Sequence, residues 1–131
     1  MKETLNPANV PPPLGHYSHC VSATGSRLIF VAGQVAVDDD GNVVGAHDIE
    51  IQARLVFTNI QKILEAAGAQ MEDIVQLTIY DTDLAEHSER ARRVRDEFLP
   101  KDFPAATKVE VQGLAHPDLM IEVEAVAVTD S

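Results

Sequence analysis

From Phe103 to Val128 the chain reads FPAATKVEVQGLAHPDLMIEVEAVAV, and this stretch limits what the rest can fold into. It divides into two apolar-rich strands, Thr107 to Leu114 and Met120 to Val128, joined by Ala115 to Leu119, whose His-Pro-Asp core is turn chemistry. Side chains alternate across a strand. Glu122, Glu124, Val126 and Val128 therefore share one face, while Ile121, Val123, Ala125 and Ala127 share the other. Neither is a plain solvent face. A carboxylate set among valines is salt-bridged, exposed beside a pocket, or held there for chemistry.

The preceding chain supplies the partners for these strands. Asn6 to Leu14 holds four of the seven prolines and is expected to be an extended arm lying over the body. Tyr17 to Ala23 and Arg27 to Gly33 read as strands joined in a hairpin through Thr24-Gly25-Ser26. Asp48 is placed to cap a helix that runs to about Ala67. Its apolar stripe is Ile49, Ala53, Val56, Phe57, Ile60, Ile63, Leu64 and Ala67, and Gly68 stands at the C-terminal cap. Ile74 to Tyr80 is a strand with Val75, Leu77 and Ile79 on one face and Ile74, Gln76, Thr78 and Tyr80 on the other. A second helix is expected over Ala85 to Leu99, with a mixed-charge solvent side that includes Arg92, Arg93 and Arg95 and a narrow apolar stripe of Leu84, Ala91, Val94 and Phe98; Pro100 stops it.

This order predicts an α+β fold in which both helices cover one face of a mixed sheet. The 131 residues suit a single domain with a core of its own. The other sheet face would carry Phe30, Ile74, Val126 and Val128. An uncovered apolar face of this kind points to self-association, with clefts between subunits as candidate sites.

Charge removes other functions. A net charge of −11 works against phosphate-backbone binding, which needs clustered Lys and Arg, so nucleic acid is a disfavoured partner. The single Cys20 excludes an intramolecular disulfide, the N-terminus lacks the apolar core of a signal peptide, and no run is long enough to span a bilayer. A cytoplasmic protein with no membrane partner is the expectation.

Chemistry-bearing residues are few. His16, His19 and Cys20 form an H-x-x-H-C group, but residues three apart on a strand face opposite ways and no second ligand cluster exists, so no metal is expected. Cys20 reads as a small buried apolar residue. His47 falls at a helix start, His87 on a polar helix and His116 in a turn, which makes them poor candidates for catalytic bases. G-x-S-x-G, P-loop, G-x-G-x-x-G and C-x-x-C patterns are all absent from the sequence. Glu122 is the strongest candidate left. The competing account is a strand-surface charge network in which Glu110 sits near Glu124 across the hairpin and Lys108 relieves the repulsion.

Several of these segments occur together in one known family. Gly15-His16-Tyr17 after a Pro-rich arm, Val31-Ala32-Gly33-Gln34, Ala66-Ala67-Gly68, Phe103-Pro104-Ala105, Val109-Glu110-Val111 and Ile121-Glu122-Val123-Glu124-Ala125 resemble the Rid, or YjgF, family of reactive intermediate deaminases. The resemblance covers nearly the whole chain. It implies a chorismate-mutase-like subunit assembled as a homotrimer, with a small-molecule ligand in each intersubunit cleft and cofactor-free hydrolysis of enamines and imines to keto compounds and ammonia. Glu122 takes the place of the family's water-positioning glutamate, Tyr17 that of its pocket tyrosine, and Gly33 lies beside its backbone contact.

The chain also departs from the pattern. Active deaminases carry Pro-Ala-Arg-Ser where this chain has Pro104-Ala105-Ala106-Thr107, so the carboxylate-gripping arginine is Ala106. Ala32 stands for a common serine and Lys108 for a common cysteine. Ala32, Gly33, Ala106, Thr107 and Lys108 are thus the expected substrate-binding positions, with Glu122 and Tyr17 catalytic. Two readings follow, a divergent enamine or imine hydrolase and a non-catalytic trimer that binds a small metabolite; a ribonuclease or translation-inhibitor role is disfavoured by charge.

Overall fold

The computed structural model describes residues 1–130. In chain order the elements are β1 (Lys2–Leu5), β2 (Cys20–Ala23), β3 (Arg27–Gln34), α1 (Ile49–Ala66), β4 (Ile74–Asp81), α2 (Leu84–Phe98), β5 (Ala105–Glu110) and β6 (Ile121–Thr129). A four-stranded mixed sheet runs β3-β6-β4-β5, and β1 and β2 form a separate two-stranded ribbon.

Helix α1 begins where Asp48 accepts hydrogen bonds from the Glu50 and Ile51 amides at 3.1 and 3.2 Å. It ends at Gly68, whose φ of +82° is the left-handed cap that glycine adopts without strain. Ile49, Ala53, Val56, Phe57, Ile60 and Leu64 are fully buried against the sheet, while Ile63 lies at the exposed margin of the stripe. Burying each of the larger ones contributes about 1.5–3 kcal/mol. The facing sheet residues are Leu77, Ile79, Val123, Ala125 and Ala127, joined by Ala91 and Val94 of α2 in one apolar cluster. Both helices therefore lie on the same side of the sheet, as the element order predicts.

The opposite face is open. Leu28 and Phe30 of β3 are 64% and 73% exposed, and they pair in register with Val128 and Val126.

Three expectations about strand pairing are overturned. Strands β5 and β6 do not form a hairpin: β4 lies between them, parallel to β5 and antiparallel to β6. Glu110 is accordingly remote from Glu124 in register, since Glu110 pairs opposite Asp81 and Glu124 opposite Thr78. Its carboxylate instead accepts from the Leu84 amide at the start of α2, at 2.8 Å. Nor do β2 and β3 form a hairpin; β2 pairs with β1, a strand the sequence does not announce, and β3 pairs with β6. Third, Ile74 faces the core and not the open side, because the β4–β6 register shifts between Ile74 and Gln76 and turns the alternation over by one residue.

Candidate functional site

Glu122 sits on the open face of β6, opposite Tyr80 on β4. Its carboxylate lies against the backbone of Gly33, near the shift in the β3–β6 register between Val31 and Gln34. A Cβ at position 33 would fall on the carboxylate, so only glycine permits this approach. The neighbouring Glu124 has a fixed partner: the Tyr80 hydroxyl donates to its Oε1 at 3.0 Å, and that bond raises the tyrosine's pKa above its ordinary value. Ala32 lines an adjoining depression with Phe30, Thr78 and Glu124.

The other expected residues gather elsewhere. The segment carrying Tyr17 runs beside the start of β5, where the Ser18 amide donates to the Pro104 carbonyl at 3.1 Å and Ser18 bridges to Ala105. Tyr17, Ala106, Thr107 and Lys108 line one open depression of about 380 Å³, closed on its far side by Arg92 and Arg95 of α2. Because β5 is the outer strand, this depression wraps the edge of the sheet. Glu122 on β6 is two strands away and Gly33 on β3 is three, about 10 Å and about 14 Å at ordinary strand spacing. The sequence-derived residues thus fall into two sets, Gly33 with Glu122 and Tyr17 with Ala106, Thr107 and Lys108.

Ala106 and Lys108 pair with Leu77 and Ile79 and point to the helix side of the sheet. Lys108 reaches α2, donating from Nζ to Ser88 Oγ at 2.6 Å. Burial lowers the Lys108 pKa, and the positive charge of Arg95 lowers it further. Arg95 was expected on the solvent side, yet it is only 7% exposed, and burial depresses its pKa against the opposing pull of Asp96. Its position was legible: Ala91, Val94, Arg95 and Phe98 follow the three- and four-residue spacing of a buried stripe, and only the charge argued otherwise. The same stripe carries His87, which is buried and not on a polar surface; its Nδ1 donates to Asp81 Oδ1 at 2.7 Å.

His16 and His19 diverge. His16 stacks on Phe103 and meets Asp96 at 3.0 Å, whereas His19 Nε2 lies 2.6 Å from the Pro11 carbonyl and pins the proline arm. Cys20, expected to be buried, is exposed, since β2 belongs to the outer ribbon.

Comparison with known proteins places these features. Residues 7–129 match the family model described as endoribonuclease L-PSP. A RutC family protein of Pyrococcus horikoshii is 36% identical over 127 residues, covering 97% of this chain and 98% of the relative. The chain belongs to the Rid (YjgF) family. A second relative, the 3-aminoacrylate deaminase RutC of Acinetobacter baylyi, is 33% identical over 126 residues, covering 96% of this chain and 97% of that protein. Among solved structures, a Rid family protein of unknown function from Yersinia pestis, YyfB, superposes with a TM-score of 0.86 at 32% identity, covering 97% of this chain and 98% of that one. In this Rid chain no helix among the described residues is long and apolar enough to cross a membrane.

Proposed function

We propose that this Rid protein is a cytoplasmic, cofactor-free enamine or imine hydrolase acting on a small reactive metabolite, with its site completed between the subunits of a homotrimer. The observation that carries the reading is the seating of the Glu122 carboxylate on the Gly33 backbone, at an open sheet face. A carboxylate held there is preorganised to orient water, whereas a charge-network residue needs no such close backbone approach. Glu124, beside it, is engaged by Tyr80.

The reaction needs little else. An enamine first takes a proton on carbon to become the iminium ion. Water then adds to the iminium carbon while Glu122 accepts its proton; that proton passes to the carbinolamine nitrogen, the C–N bond breaks as the hydroxyl gives up its proton to become the carbonyl, and ammonia departs. Tyr17 supplies a hydroxyl at the rim of the β5 depression and orients the substrate.

The trimer is supported by exposed Leu28 and Phe30 on the uncovered face, and by the division of the expected residues into two sets in a single chain. A subunit contact that joins one chain's β6 face to another's β5 edge would unite them. The relative that is a 3-aminoacrylate deaminase supports an amino-substituted acrylate or imino acid as the substrate class. A ribonuclease role is disfavoured by the net charge of −11.

A second reading, a trimer that binds a metabolite without turning it over, is favoured by Ala106 in place of the family's arginine. Ammonia release from 2-iminobutanoate generated in solution separates the two. The hydrolase reading expects release that depends on protein concentration and is lost in Glu122→Gln; equal release by wild type and Glu122→Gln would reject it.

A further inference from the structure

Around the β5 edge the charge balance is unusual for so acidic a protein. Three cations, Arg92, Arg95 and Lys108, line the depression that also holds Tyr17 and Ala106. Two acids lie close by, Asp96, whose Oδ1 is buried without a hydrogen-bond partner and whose charge acts on Arg95, and Asp81. Asp96 Oδ2 is taken by Arg92 at 2.9 Å and His16 at 3.0 Å. Asp81, just beneath, accepts from His87 and from the Asp83 amide. Arg92 is therefore neutralised, but among the described residues Arg95 makes no ion pair, and Lys108 meets only the neutral Ser88 hydroxyl.

An arginine more than nine-tenths buried that makes no ion pair is costly. Two cations without an ion pair lining one depression repel each other as well, and the charge of Arg95 weakens the hold of Lys108 on its proton. Such an arrangement persists most readily where a ligand supplies the missing negative charge.

We infer that Arg95, assisted by Lys108, is the anchor for the carboxylate of the substrate, reaching from α2 into the space that Ala106 leaves empty on β5. The inference rests on the hydrolase reading for the identity of the substrate, an imino or enamino acid. The anchor itself follows from the charge geometry. Guanidinium suits a carboxylate because its planar fork offers two parallel donors, and the methyl group of Ala106 leaves room for the arginine of α2 to approach. Ser88 holds the Lys108 ammonium at the same rim. The family's cation has thus changed its place in the chain while keeping its place in the site.

The test uses stable probes on the full-length protein: 2-oxobutanoate, its neutral methyl ester, and inorganic phosphate, titrated calorimetrically. The expected result is saturable binding of 2-oxobutanoate, at least tenfold weaker binding of the ester and of phosphate, and a loss of about tenfold to over a hundredfold for 2-oxobutanoate in Arg95→Met, partly rescued by Arg95→Lys. Lys108→Met is expected to lose less. Unchanged affinity in Arg95→Met would overturn the assignment, and phosphate binding as tightly as 2-oxobutanoate would overturn the carboxylate class. Should Arg95→Met fail to fold, the Arg95 Nε–H resonance of the wild type must move on titration with 2-oxobutanoate; a stationary resonance rejects the anchor. Failure of the two readings looks different. Arg95-dependent binding without turnover of any imine leaves the anchor and removes the hydrolase, whereas turnover with unaltered KM in Arg95→Met leaves the hydrolase and removes the anchor.

Discussion

The Glu122 carboxylate occupies the volume that a methyl group on Gly33 would need. This contact joins β3 to β6 at the register shift between Val31 and Gln34, and in the proposed hydrolase it would set where the attacking water stands. Gly33→Ala must move the carboxylate, because the clash includes its Cδ as well as an oxygen. Misplacement by about 1 Å costs on the order of a hundredfold in rate. Steady-state assays with an imine substrate are expected to show that loss in kcat, with the melting temperature nearly unchanged, because the carboxylate side chain and not the core absorbs the displacement.

The buried pair of His87 and Asp81 belongs to stability. Removing the imidazole in His87→Ala takes a 2.7 Å hydrogen bond from a carboxylate that is 1% exposed. A loss of about 1.5–3 kcal/mol is expected, measured by urea unfolding, plus a smaller packing term. Asp81→Asn should lower stability in the same range, with imine turnover by the folded protein retained.

The open sheet face predicts assembly. Light scattering of the wild type should give about three times the 14.2 kDa subunit mass. Phe30→Asp places a charge at the centre of the exposed apolar strip and is expected to shift the protein to monomer and abolish turnover together. A wild type that is monomeric at micromolar concentration would contradict the role given to Leu28 and Phe30.

Lys108 sets a pH dependence. Its folded-state pKa is below the ordinary 10.5, so between the folded value and 10.5 the unfolded chain binds more protons than the native one. Stability therefore rises with pH through that window, and the cost of the buried ammonium is fully present below it. Tyr80, with its raised pKa, acts in the opposite sense above pH 10, where stability is lost as pH rises through its folded value. The difference in unfolding free energy between wild type and Lys108→Met should therefore shift in favour of the wild type as pH climbs towards 10.5.

Much of the fold was legible in the sequence, because capping and periodicity are local. Asp48, Gly68 and the stripe from Ile49 to Leu64 locate α1 to within a residue or two of its ends. Strand pairing was not legible. The insertion of β4 between β5 and β6 is a long-range event that local turn chemistry at His116-Pro117-Asp118 could not report, and it separated Glu110 from Glu124. A register shift, which no alternation pattern announces, placed Ile74 in the core. Around the candidate site, Glu122, Gly33 and Tyr17 were named from the family resemblance, whereas the burial of Arg95 was missed because charge was read as exposure, although its spacing with Ala91, Val94 and Phe98 put it on the buried stripe. Lys108 shares the face of Ala106, as strand alternation gives, and its reach to Ser88 on α2 is what the sequence could not show.

A composite site can be tested by complementation. Glu122→Gln damages the set on β6, and Tyr17→Ala damages the set at the β5 edge. Each variant alone should be nearly inactive. When the two are mixed in equal amounts and subunits are allowed to exchange, sites form that combine an intact half from each chain, and with random assembly about a quarter of all sites are restored. Recovery of ammonia release to about a quarter of the wild-type rate is the predicted result; a mixture no more active than its separate components, with exchange verified, would contradict the account.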